Sequence, residues 1–89
     1  MTDQEAIAAE ILRQASERGE AGSISPSDVA QTLAAEGEEW GRLLGPVRLA
    51  AIRLAREGRI EVLRKGKPAD PAGEIRGVIR LRIARGAGG

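Results

Sequence analysis

"GRIEVLRKGKPADPAGEIRGVIRLRI", residues 58–83, is the stretch on which the fold turns. Before Gly58 the apolar residues recur at helical spacing, and after it the period becomes two. Ile60 and Val62 alternate with Glu61 and Leu63, which predicts a strand over 59–65. Ile79, Leu81 and Ile83 share one side of a second predicted strand, 77–83, while Arg80 and Arg82 share the other. Residues 66–76 exceed the usual hairpin connection. They are expected to project as a loop rather than to make a tight turn.

Upstream of this stretch the pattern is helical. Thr2 followed by Glu5 is a capping box opening a helix over 3–18, with Ile7, Ala8, Ile11, Leu12 and Ala15 on one side and Gly19 as its stop. Ser23-Ile24 is a very short extended piece. Ser25 reads as an N-cap, Pro26 as the first helical residue and Asp28 as an acid favoured by the helix dipole. That second helix spans 26–36, with Val29, Ala30, Leu33 and Ala34 apolar and Gly37 at its end. Residues 38–44 form one or two helical turns carrying Trp40, Leu43 and Leu44. Trp40 is expected in the core or as a hydrophobic staple at the helix entry. Pro46 starts or kinks a third helix running to 57, with Gly58 as its C-terminal stop. Val47, Ala50, Ala51, Leu54 and Ala55 make one face. Arg48, Leu49, Ile52, Arg53 and Arg56 make the other.

Helix, short strand, helix, helix, strand, long loop, strand is the order of a winged helix. The expected fold is therefore α+β, a three-helix helix-turn-helix core with a C-terminal β-hairpin wing and a short first strand. Ile24 is expected to pair with the first strand of that hairpin. One winged-helix domain spans 1–85, and 86–89 is a tail with nothing to bury. The blocks "SISPSDVAQTLA", "VRLAAIRLAREGRI", "KGKPADP" and "GVIRLR", with the lone tryptophan, resemble a small bacterial winged-helix family catalogued as a domain of unknown function. The resemblance covers roughly residues 5–83. It implies the winged-helix fold and carries over no catalytic or binding residues.

Composition narrows the chemistry. The chain has 89 residues, no cysteine, no histidine, no phenylalanine and no tyrosine, and Trp40 is its one aromatic residue. The core must be aliphatic and small. A disulfide framework, a thiolate metal site and a histidine general base are excluded. Carboxylates, lysines and serines are present but not grouped as a catalytic site, and Ser25 and Ser27 read as capping residues. No enzyme, cofactor or small-molecule ligand is therefore expected. No apolar run reaches membrane-spanning length and the N-terminus lacks a signal-peptide core, so a cytoplasmic protein is expected.

A net charge of +1 conceals an asymmetry. Residues 1–40 hold nine acids against Arg13 and Arg18, a net of −7, whereas 41–89 carry a net of +8. Such a division points to an anionic partner for the second half. A phosphate loop of the nucleotide-binding kind is rejected, because Lys67 is followed by Pro68 and no helix opens after it. As a wing, the segment offers phosphates a cationic backbone. The expected nucleic-acid contacts are Arg48, Arg53 and Arg56 on the third helix, with Arg64, Lys65, Lys67 and Arg76 around the wing. DNA is the expected partner, in the manner of a transcriptional regulator. Leu49 and Ile52 favour the alternative, a protein-interaction module that contacts a homodimer mate or another protein through the third helix.

Overall fold

The computed structural model describes residues 3–34, 37–73, 75 and 77–84. Helix α1 spans Gln4–Arg18. Its cap is Asp3, whose carboxylate accepts the N–H of Ala6 at 2.8 Å. Thr2, expected in that role, lies outside the described residues. Helix α2, Pro26–Leu33, opens on a reciprocal box: the Ser25 hydroxyl accepts from the Asp28 N–H, and the Asp28 carboxylate accepts from the Ser25 N–H. α2 is shorter than its sequence pattern. Its buried face ends with Leu33, and Ala34 already has extended backbone. A helix this short depends on tertiary packing, so it stops where its core contacts stop.

A 3-10 turn, Trp40–Leu43, runs directly into α3, Leu44–Arg56. Pro46 thus sits inside the first turn of α3 rather than at its start, where its missing N–H leaves no helical bond unmade. α3 ends in a Schellman motif. The Arg59 N–H reaches the Leu54 carbonyl and the Gly58 N–H reaches that of Ala55, both at 3.0 Å, with Gly58 at φ 76°.

Strand β1 spans Ile60–Arg64, β2 Lys67–Pro68 and β3 Arg80–Ile83, in an antiparallel sheet of order β2-β1-β3. The predicted pair of strands does pair, with Ile60 opposite Ile83 and Val62 opposite Leu81. Its connection differs from the expected open loop. Lys65 and Gly66 take φ 54° and 82°, the left-handed pair that a two-residue hairpin turn requires. The chain doubles back at once, and Arg64 and Leu63 pair with Lys67 and Pro68. Pro68, lacking an N–H, is tolerated there because β2 is an edge strand. The chain returns on the far edge of β1 as β3.

Ile24 also pairs differently from expectation. It exchanges backbone hydrogen bonds of 2.8 and 2.7 Å with Leu81 of β3, not with β1. Both edges of β1 are already occupied, by β2 and β3, so only the outer edge of β3 is open to it. Three helices and this small antiparallel sheet make an α+β winged-helix domain. Its core is aliphatic: Ile7, Ile11, Val29, Val47, Leu54, Val62, Ile79 and Leu81 are all buried. Trp40 is not among them. It is 39% exposed on the 3-10 turn, so the core closes without its ring. No described helix is long and apolar enough to cross a membrane.

Candidate nucleic-acid interface

The cations of the second half divide into three groups by what holds them. The first serves the fold. Arg48, half-buried on α3, donates from Nη1 to the Gly77 carbonyl at 3.0 Å and from Nη2 to the Ile75 carbonyl at 3.1 Å. Arg56, two turns further along the same helix row, donates from Nε to the Pro71 carbonyl at 3.2 Å. The segment between β2 and β3 is therefore laced to α3 by two guanidinium groups. Ile52 stands between them at i+4 from Arg48 and is half-buried. Of the apolar pair expected on this helix face it is the less accessible. Leu49, on the open side of α3, is 66% exposed.

A second group is paired with acids. Arg53 Nε lies 3.8 Å from Glu57 Oε2, too long for a hydrogen bond but close enough to moderate the charge. Arg82 holds Glu61 Oε1 through Nε and Nη2 at 3.0 and 2.8 Å. Another acid–arginine pair lies on α1. There the Arg13 hydrogen bond holds the Glu10 carboxyl below its usual range, and Glu10 in turn raises Arg13.

The third group is the hairpin tip. Lys65 and Lys67 flank Gly66, both are exposed, and neither has an acid partner among the described residues. Arg64 precedes them, half-buried, with its guanidinium against Gly77: a Cβ on that glycine would stand 2.8 Å from Nη1. Gly77 has φ 80°, so the backbone there also favours glycine. Arg76 lies outside the described residues. Of the seven cations expected at a nucleic-acid surface, Lys65 and Lys67 are fully presented. Arg48 and Arg56 donate to carbonyls, which leaves their charge un-neutralised while fixing their direction.

Arg80 was legible only as one member of an outward-facing strand pair. Its Nε donates to Ser23 Oγ at 2.6 Å and its Nη2 to the Ser23 carbonyl at 3.0 Å. The partner is 57 positions away, beyond any local pattern.

Helices, sheet and cationic hairpin define a winged-helix class of domain. The chain belongs to the family described as protein of unknown function DUF3253, whose model matches residues 4–84. The family resemblance carried by the sequence blocks holds over nearly the same span. No curated protein matches the chain.

Proposed function

We propose that this domain binds nucleic acid through backbone phosphates, as a non-catalytic DNA-binding domain of a regulator, with α2 and α3 as its helix-turn-helix. The observation that carries the reading is the hairpin tip. Lys65 and Lys67 project from a two-residue turn with no acid partner among the described residues. Arg64 precedes them at the end of β1, and Arg56 on α3 holds the Pro71 carbonyl of the segment that follows β2. Phosphate contacts demand charge on a projecting backbone and little base geometry, which matches lysines at a turn. Their affinity comes mainly from counterion release.

Fluorescence anisotropy with a mixed-sequence duplex tests the proposal. Four phosphate contacts lower the affinity by about two orders of magnitude between roughly 50 and 200 mM salt. Absence of binding at the lower salt, or binding that salt leaves unchanged, refutes it. One observation favours a second reading. Leu49 is 66% exposed on the open side of α3, where an apolar side chain suits a protein partner better than a phosphate.

A further inference from the structure

The sheet has one face toward the helices and one away from them. Val62 and Leu81 are buried against the helices, so by strand alternation Leu63 and Arg80, which pair across β1 and β3, point outward. On that outer face lies a pocket of about 420 Å³. Its floor is the Leu63 side chain, only 7% exposed although it lies on the outer face, and one wall is Val78, 84% exposed. Arg64, Lys65 and Arg80 surround this apolar surface, and no carboxylate lines it among the described residues. Glu61, the acid two residues from Leu63 on the same face, is already held by Arg82.

Arg80 is oriented in advance. The Ser23 hydroxyl and carbonyl fix its Nε and Nη2, and both are neutral, so the full positive charge remains. Of the five N–H donors of a guanidinium, those on Nη1 and the second on Nη2 are left for a ligand. A cationic rim over an apolar floor selects for two properties together. A bare inorganic anion would leave Val78 and the exposed edge of Leu63 wet, and a neutral hydrocarbon would leave three cations without a counter-charge. A carboxylate presents two oxygens that match the guanidinium fork, and an apolar body attached to it covers the floor.

We propose that this pocket binds a small organic carboxylate with an apolar body of one or two rings, its carboxylate on Arg80 and Lys65 and its body on Leu63 and Val78. The site shares Arg64 and Lys65 with the proposed phosphate surface but does not rest on it, and its test contains no nucleic acid.

The test is an NMR titration of the isotope-labelled full chain with 2-naphthoate at fixed ionic strength. Saturable amide shifts are expected at Ser23, Leu63, Val78 and Arg80, with a Kd near ~1 mM, the ordinary ligand efficiency for a molecule of this size. The uncharged 2-naphthylmethanol and inorganic phosphate are each expected to bind at least about tenfold more weakly. Arg80→Gln is expected to weaken 2-naphthoate by about tenfold, and Val78→Ser by roughly threefold. Val78 is exposed, so its replacement keeps the fold and the test survives if the Arg80 variant is perturbed. Absence of saturable shifts on this face overturns the proposal. So does equal binding of the alcohol or of phosphate, or parent-like binding by the Val78 variant.

Discussion

Arg48 on α3 donates to the carbonyl oxygen of Gly77 at 3.0 Å, across 29 positions of sequence. The contact commits a side chain that the sequence offers as a ligand contact to holding the connection between β2 and β3. It also makes Gly77 a junction, because the Arg64 guanidinium rests against the same residue. The wing and α3 are therefore one mechanical unit, joined through cations whose charge is still available to an anion.

Gly77→Ala is expected to destabilise the domain by about 1–2 kcal/mol, mostly through the positive φ forced on alanine. The close approach of Arg64 contributes less, since a guanidinium at the end of a flexible side chain can step aside. The double variant Arg64→Ala, Gly77→Ala therefore recovers little of the loss. Urea denaturation midpoints at unchanged m-value measure both. Near-complete recovery in the double variant would show that the steric contact, not the backbone, dominates.

Ser25→Ala is expected to lower stability by about 1 kcal/mol, the usual worth of an N-cap. Asp28→Ala removes the other half of the same box. The two losses are expected to sum to more than the double variant loses, because each bond holds the other's geometry. A double-mutant cycle in denaturant gives the coupling directly. Strict additivity would mean that the hydroxyl and the carboxylate cap α2 independently.

Glu10 supplies a pH dependence. Its folded pKa is depressed, first by the Arg13 hydrogen bond, with Gln14 adding to it and burial opposing it. A depressed carboxyl contributes stability that is fully present above its unfolded value, near the ordinary glutamate range, and is lost as pH falls through the folded value. Glu10→Gln is therefore expected to lower stability at neutral pH, by the contribution that acid otherwise removes, and so to flatten the acid side of the profile. Thermal midpoints from neutral to strongly acidic pH check this. An unchanged acid slope would remove Glu10 as a contributor.

What the sequence made legible follows the range of the forces involved. The Ile60, Val62, Leu81 and Ile83 alternation is a local pattern imposed by one buried face, and those residues are buried as it requires. The Gly19 and Gly58 stops and the Ser25 cap are equally local, and each acts where it reads. The Lys65-Gly66 turn was hidden because the lysine adopts a left-handed backbone that its residue type seldom announces. Lys67-Pro68 is too short to show an alternation, so the whole span read as loop. Arg48 and Arg56 appeared as free cations because their acceptors are backbone carbonyls brought close only by the folded chain, and the Ser23 partner of Arg80 was out of reach of the sequence for the same reason. Trp40 was expected in the core or as a staple at the helix entry; it is not in the core, whose space the aliphatic residues fill alone.

The tip lysines and Leu49 separate the two functional readings. Nucleic-acid binding through the hairpin needs charge at Lys65 and Lys67, while a protein contact through α3 needs apolar surface at Leu49. Replacing both lysines by Ala removes two phosphate contacts, so the log–log salt slope is expected to fall by roughly 2 and binding to weaken similarly across duplex sequences. Both lysines are exposed and without acid partners among the described residues, so their loss leaves the fold intact, as circular dichroism would verify. Leu49→Ser is expected to leave duplex affinity within about twofold, because a leucine carries no phosphate contact. It also leaves Ile52 undisturbed between the Arg48 and Arg56 contacts, which a double replacement on α3 would not. If the lysine variant binds duplex like its parent while Leu49→Ser abolishes self-association in sedimentation, the cationic tip is a solvated turn. The α3 face then takes over as the functional surface of the domain.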